Sequence, residues 1–540
     1  MASVADATPF LGVALNRDLT TLAGPILVIW LLVVSYRYAY WTNIPKIDGI
    51  PEIPGARPFL GHLHLHAGVS SVNDGALWAS WAKKHDAPIF QMKYGQIRVV
   101  VANTFAAIRE IFVTNARKTS DRPRQYMFEQ YVGYDLGTHS LDDNFKQQRL
   151  AGIASVQPRK WPLFYAGFNR EADRLIASLA QDGEYGAQPM NPFRYMQLMS
   201  MNLSFHITFD KHFDNAQDPW LRDYVDNAVK ISKVRGASNT YSDFVPLLRW
   251  HPKYRRMGQE AQAASQKRSR MIQVVLEGLK ERIAKGEQPN CIAASVLADE
   301  NSKLSEANHA TAGAIKCSTS MVQGGLESLP AHVLAGMGGL TSAEGIKIQE
   351  KAYQAILETY PNGDAAEHAF TEESVPYIVA IYKEILRNYT VLPFSLPRQA
   401  TEDIQLSSGA IIPKGTTLYM NSEGGNHDEA HFGENAGKFD PERWLRDDKL
   451  NESGYATISY GVGSRLCPAW NIANRMMYGL IFRTILDFQL RADESDPPPK
   501  SYQEFGETPA GHINKPKQFR VRFIPRDPER LKVKVASIKA

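Results

Sequence analysis

The chain has 540 residues, of which 44% are hydrophobic and 22% charged, a balance that supports a large folded core and excludes a disordered, collagen-like or disulfide-scaffold protein. Lys and Arg number 61 against 57 Asp and Glu, an excess too small at this length to mark a nucleic-acid partner. The three cysteines, Cys291, Cys317 and Cys467, are far apart and lack CxxC spacing, so each is read as a single thiol rather than as part of a zinc cluster.

The amino end departs from the globular average. From Leu19 to Tyr36 there is no charged residue, a run that reaches the length of a membrane span. It ends in aromatics and Arg37 instead of a small-residue cleavage site, which favours a retained anchor over a signal peptide, with a buried amino-terminal helix as the alternative. Trp30, Tyr36, Tyr38, Tyr40 and Trp41 suit a membrane interface, and Arg37 with Lys46 favours a cytosolic carboxyl side. Next comes a segment dense in Pro45, Pro51, Pro54 and Pro58, which stops helix and strand alike and reads as a stiff, extended hinge. The expected organisation is an anchor over residues 1–43, a hinge over 44–61 and one folded body over 62–540. At about 150 residues per domain the length allows three or four domains, but no second linker and no internal repeat divides the body.

Further along, IFQMK and IRVVVA flank Gly95 within Pro88–Ala102 and predict a β-hairpin. Arg256–Lys285 carries apolar residues at helical spacing among many charges and predicts a long surface helix. Ile411–Met420 alternates as a short strand pair around Pro413 and Gly415, and Phe519–Phe523 is a further strand candidate. The expected class is mainly α with a minor β portion (α+β).

Chemistry concentrates in three segments. In SYGVGSRLCPAW, a loop punctuated by Gly461 and Gly463 delivers Cys467 to the start of a helix-compatible stretch, Trp470–Leu486. A helix amino terminus and nearby Arg465 are the surroundings that keep a thiolate ionised. In KEILR, Glu384 and Arg387 lie three apart on one helix face and can pair. In MVQGGLESLP, two glycines and Pro330 loosen a helix that carries Glu327 and Ser328 side by side.

In this order the segments resemble the cytochromes P450. The cysteine-loop pattern of that family falls on Tyr460, Gly463, Arg465, Cys467 and Ala469, with Tyr in place of Phe and Ala in place of Gly. KEILR corresponds to its ExxR pair, and FDPERW supplies Arg443, which closes a structural charge triad with Glu384 and Arg387. Gly324 to Ser328 corresponds to the oxygen-pocket stretch of its distal helix, with Ser in place of Thr. FKQQR offers Arg149, with Phe145 in place of the usual Trp, and LPRQ offers Arg398.

The resemblance implies a P450 fold behind one transmembrane helix, with haem b held through its iron by Cys467. Arg149, Arg398 and Arg465 are implied as propionate partners, and Gly463 as part of the cofactor loop. Glu327 and Ser328 are implied as an acid and alcohol proton relay for bound O2. Electrons are expected from NADPH through an NADPH-cytochrome P450 reductase, and the location is expected to be the endoplasmic reticulum membrane, single-pass, with the catalytic body in the cytosol. Phe128, Tyr131, Leu392, Phe394 and Leu396 occupy segments that line the substrate pocket in the family. The loop Asp121–His139, the stretch from Gln323 and Gly506–His512 complete that set.

More narrowly, NIPKIDGIPEIPGARPFLGHL, YSDFVPLLRWHPK and YGVGSRLCPAWNIANR are similar to fungal P450s that hydroxylate phenylacetate and small phenolics. The expected reaction is hydroxylation of a ring or benzylic carbon of a small aromatic, such as m-cresol or m-hydroxybenzyl alcohol in a 6-methylsalicylate-derived polyketide pathway. The alternatives are phenylacetate or hydroxyphenylacetate hydroxylation in aromatic catabolism, a haem-thiolate isomerase or dehydratase, and a membrane-tethered haem-binding protein without catalysis. Glu327 with Ser328 argues against the isomerase reading, and Cys467 with the ExxR pair argues against the last.

Overall fold

The computed structural model describes residues 10–68, 73–133, 135–215, 218–235, 240–298, 307–452, 456–507 and 513–539. Its longer helices are α1 (Phe10–Tyr40), α2 (Asp74–Lys84), α3 (Tyr126–Tyr131), α4 (Asp143–Ser155), α5 (Tyr165–Asp182) and α6 (Phe193–Phe209). They continue with α7 (Pro219–Ser232), α8 (Pro252–Ala284), α9 (Ala307–Leu340), α10 (Ala343–Thr359), α11 (Pro376–Asn388) and α12 (Trp470–Asp487). Helix α8 is the long surface helix expected from Arg256, begun a turn earlier with Pro252 in its first turn, where a missing N–H costs nothing. Asp142 starts α4 by accepting the N–H of Phe145 at 2.7 Å, which fixes where Arg149 projects.

The eight strands among the described residues are short. The expected hairpin forms from β1 (Ile89–Tyr94) and β2 (Ile97–Ala102), turning at Gly95, whose φ is +55°. A Cβ at that glycine would lie 2.0 Å from the Phe244 carbonyl oxygen, so both the turn and the packing require glycine. The strand pair expected across Ile411–Met420 divides instead. β5 (Ile411–Ile412) pairs with β4 (Ile404–Gln405), while β6 (Thr417–Met420) joins the main sheet, parallel to β2. The main sheet runs in the order β1-β2-β6-β3, with β3 at Arg398–Gln399. The candidate at Phe519–Phe523 is β8 (Val521–Pro525), paired with β7 (Phe488–Ala492), a strand that sequence reading missed.

The largest apolar cluster joins α5, α6, α9, α10, α11 and α12. From Met476 to Asp487 every residue of α12 is buried, as expected of a helix enclosed on all sides. Helix α9 crosses this core and carries Glu327 and Ser328 into its interior face.

At the amino end, helix α1 leads directly into the proline-rich segment. Among the described residues no helix is long and apolar enough to cross a membrane, so the span over Leu19–Tyr36 is not shown. Ile26 to Val34 lie within α1 and are exposed. The proline-rich segment is extended, but it is docked on the sheet rather than hanging free. Ile47, Ile50 and Ile53 are buried, each contributing about 1.5–3 kcal/mol relative to exposure. Buried Gln91 accepts the Ile47 N–H at 2.9 Å and donates to the Ile47 and Ile50 carbonyls, while Gln91 N–H bonds to Pro51 O at 2.9 Å.

Candidate active site

The loop that delivers Cys467 is shaped by glycine. Gly461 and Gly463 have φ of +71° and +65°, and a Cβ on Gly463 would lie 2.1 Å from the Phe112 carbonyl oxygen. The chain then returns on itself: Cys467 N–H donates to Tyr460 O at 2.9 Å, three residues before α12 begins. The half-buried thiol faces a cavity of about 370 Å³, whose wall includes Tyr460, Gly461 and Ala469. Gly463 supports the loop from behind against Phe112.

Burial raises the pKa of Cys467, and the N–H of Ala469 and the guanidinium of Arg149 oppose that rise. Arg149 is thus a cation that favours the charged sulfur. Arg149 on α4 also donates to the Leu466 carbonyl, next to the cysteine. Arg398 on β3 donates to Val462 O. Arg465 donates to Ser120 O at 2.6 Å and His139 O at 3.0 Å, and its guanidinium lies 3.8 Å from the centre of the Phe145 ring. Phe145 thus supplies a stacking platform, a use of its π-face that needs no indole donor.

A fourth arginine was missed by sequence reading. Arg122 lines the same cavity and donates to the carbonyls of Gly137, Leu396 and Pro397 at 3.0, 2.7 and 2.8 Å. Its burial, and then repulsion by Arg465, Arg398 and Arg149, push its pKa well below the usual guanidinium range. A lone arginine in SDRPR has no pattern to mark it; its only sequence signal was membership of the Asp121–His139 loop.

Across the cavity runs α9. Ser328 Oγ donates to Gly324 O at 2.7 Å, and Pro330 offers no N–H to the carbonyl four residues before it. Glu327 is 8% exposed and its carboxylate lies 3.4 Å from Lys515 Nζ. His332, also missed, lines the cavity with its Nδ1 2.8 Å from Ser328 O. That nitrogen must carry the hydrogen, which leaves a lone pair on Nε2. Burial pushes His332 down to about 4, so the ring is neutral.

Of the expected pocket walls, Leu392 and Leu396 line the cavity. The other three pack elsewhere. Phe128 is buried in a satellite cluster with Ile231 and Val234, Tyr131 lies against Gly258 of α8, and Phe394 packs on Trp78 and Tyr419. Gly506 is bridged to Pro516, Ile513 reaches the cavity, and residues 508–512, including His512, lie outside the described residues.

The charge triad is assembled away from the cavity. Glu384 and Arg387 are fully buried and bidentate, at 2.9 and 2.7 Å, and Arg443 Nε lies 3.4 Å from Glu384. Trp444 Nε1 and the Asp440 N–H also donate to Glu384, at 3.0 and 2.8 Å. Arg387 donates further to the carbonyls of Asn426, Ala436 and Lys438, so the buried ions are paired and hydrogen-bonded, as burial demands. Cys291 is buried and pushed up to about 11, an inert thiol, while the side chain of Cys317 lies outside the described residues. His427 and His431 stack on Tyr502 and Phe105.

Comparison with known proteins agrees with this arrangement. Residues 51–523 match the cytochrome P450 family, and the chain belongs to it. Phenylacetate 2-hydroxylase of Emericella nidulans is 35% identical over 93% of this chain and 95% of its own. The 3-hydroxyphenylacetate 6-hydroxylase of the same fungus is 26% identical over 94% of both. In fold, a zebrafish cytochrome P450 structure with progesterone matches with a TM-score of 0.66 at 18% identity, covering 84% of this chain and 99% of that one. The protein is thus a P450 monooxygenase, and its cofactor is haem iron with a thiolate ligand.

The cavity residues fit that group. Arg122, Arg149, Arg398, Arg465 and a thiol face one space whose lining carboxylates, among the described residues, are Asp135 and Glu327, and both of these are already paired with other cations. A dianionic cofactor with a thiolate-binding metal matches this charge and donor set.

Proposed function

We propose that Cys467 is the thiolate ligand and that the enzyme hydroxylates a small aromatic carboxylate of the arylacetate type. The observation that carries this reading is one cavity bounded by Cys467 and the four arginines on one side and by Glu327, Ser328 and His332 on the other. The bound haem supplies reductive activation of O2 and insertion of one oxygen atom into a C–H bond.

The protein's residues do the rest. Arg122, Arg149, Arg398 and Arg465 hold the propionates. Ser328 presents its oxygen to the cavity while its hydrogen rests on Gly324 O. Glu327, tethered by Lys515, takes up protons from the solvent side and passes them to the Ser328 hydroxyl. Leu392 and Leu396 exclude water from the reacting carbon. The names of the two fungal relatives support arylacetates over the neutral phenols m-cresol and m-hydroxybenzyl alcohol; apolar walls such as Leu396 keep the phenol reading, with its polyketide pathway, as second. Electrons come from NADPH through a cytochrome P450 reductase. The exposed apolar face of α1 from Ile26 to Val34 supports an anchor in the endoplasmic reticulum membrane with the catalytic body cytosolic.

The test is spectroscopic and catalytic. The ferrous carbon monoxide complex is expected to show a red-shifted Soret band that Cys467→His loses; an unshifted band in folded wild-type protein overturns the ligand assignment. With NADPH and a reductase, phenylacetate is expected to be hydroxylated faster than m-cresol. Turnover confined to bulky multi-ring compounds defeats both small-aromatic readings.

A further inference from the structure

The second half of α6 is enclosed, and one residue interrupts it. From Met199 to Phe209 every residue except Ser204 is buried, and Ser204 lines the cavity together with Ile207 and Thr208. The surface that Ser204 keeps is therefore surface it shows to the cavity. Thr208, four residues on and on the same helix face, is 1% exposed. Opposite them on α9, a Cβ on Gly325 would lie 2.3 Å from Ser204 Oγ, while a Cβ on Gly324 would meet no atom within 4 Å. Glycine thus makes room for the Ser204 hydroxyl, and the space beside it is open. Gly325 and Ser328 are three apart, so Ser204 stands one turn from Ser328 on the same flank of α9.

Two other polar side chains on this stretch find protein partners. Ser200 donates to Gly325 O at 2.6 Å, and Asn202 donates to Glu171 and to Phe213 O at 2.7 and 2.8 Å. Ser204 and Thr208 do not: among the described residues neither hydroxyl has a hydrogen-bond partner, and neither turns back onto its own helix as Ser328 does. Hydroxyls left open in a wall that includes Ile207 and Leu329 are costly until a ligand or water completes them. Each can donate once and accept twice, and the pair carries no charge. Arg235, which also lines the cavity, is already paired with Asp135 at 2.6 Å. The group that matches Ser204 and Thr208 is a neutral hydroxyl, which likewise both donates and accepts.

We propose that Ser204 and Thr208 recognise a hydroxyl on the ring of the substrate, so that the enzyme selects rings that already carry an oxygen over bare ones. This rests on the small-aromatic reading above and narrows it from an arylacetate to a hydroxyarylacetate. The ring hydroxyl donates to one of the pair and accepts from the other, while Ile207 and Leu329 cover the ring edge beside it.

The experiment uses full-length haem-loaded enzyme and measures substrate-induced Soret shifts with 3-hydroxyphenylacetate and with phenylacetate, which differ only in the ring hydroxyl. The wild type is expected to bind the first about tenfold or more tightly, the gain from two neutral hydrogen bonds in an apolar wall. Thr208→Val removes one hydroxyl at nearly constant shape, and Ser204→Ala removes the other. Each is expected to cut the ratio about threefold, and the double variant to abolish the preference, with phenylacetate affinity unchanged. Thr208→Ser keeps a hydroxyl and is expected to keep the ratio.

A wild-type enzyme that binds the two ligands equally overturns the proposal without any variant, and leaves the pair as a site for water. A preference that the double variant retains also overturns it. So does an equal loss of both ligands, which marks Ser204 and Thr208 as packing residues. If Thr208→Val loses the carbon monoxide signature, Ser204→Ala and Thr208→Ser carry the same contrast. A wild-type enzyme that responds to no small aromatic defeats the underlying substrate reading, an outcome distinct from equal binding of the two.

Discussion

Ser328 Oγ donates to the carbonyl of Gly324 one turn earlier in α9, at 2.7 Å, so its hydrogen is committed to the helix and its lone pairs are left for the cavity. Ser328→Ala is expected to retain substrate binding and the carbon monoxide signature. Product formed per NADPH consumed should drop, with hydrogen peroxide taking the balance; loss of a positioned hydroxyl from a proton path costs about 10²-fold or more in rate. Ser328→Thr keeps the hydroxyl and adds a methyl that restrains its rotamer, so coupling is maintained or improved. Equal coupling in Ser328→Ala and wild type removes the hydroxyl from proton delivery.

Glu384 holds Arg387, Arg443, Trp444 Nε1 and the Asp440 N–H at once. Glu384→Gln strips the negative charge from two buried guanidiniums and is expected to destabilise the fold by about 3–5 kcal/mol. The readouts are the denaturation midpoint and haem content, which should fall together.

Gly463 and Gly409 both have positive φ, +65° and +88°, but only Gly463 has a backbone carbonyl 2.1 Å from where a Cβ would sit. Gly409→Ala should cost about 1–2 kcal/mol of conformational strain. Gly463→Ala adds a clash and should cost about 3 kcal/mol or more, with loss of the thiolate spectrum. Equal melting temperatures for the two variants refute the steric account of the loop.

His332 is neutral in the fold down to about pH 4, while an unfolded histidine takes a proton near its ordinary 6.5. As pH falls through this window the unfolded state binds more protons, so stability is lost on acidification and is unaffected above it. Relative to His332→Asn, wild type is expected to lose about 2 kcal/mol between pH 6.5 and 5. Glu423, raised to about 8 by burial, titrates in the opposite sense, but it is present in both proteins and cancels in the difference. Parallel stability curves for the two show that the imidazole is not desolvated.

Residues whose chemistry is a local pattern were legible in the sequence. Glu384 with Arg387, the Gly-punctuated loop before Cys467, and Glu327 beside Ser328 each carry their geometry in their spacing. Residues whose role depends on distant neighbours were not. Phe128, Tyr131 and Phe394 lie in the expected segments, but an aromatic ring turns towards whichever partner buries it better, here Ile231, Gly258 and Trp78. Arg122 and Arg235 are single cations outside any motif, and only folding brings them beside Leu396 and Asp135. β7 escaped notice because its apolar residues continue the buried run of α12 without a break, and helix and strand read alike in such a stretch.

The last turn of α1 and the segment after it are tied to the main sheet: Lys93 Nζ donates to Ala39 O, and Arg98 pairs with Glu52 at 3.1 Å. A rod clamped at its base transmits direction. Whatever receives the apolar length of α1 therefore also sets the compass bearing of the whole body, and Gln91→Ala, which frees the Ile47 and Ile50 carbonyls, should loosen that bearing.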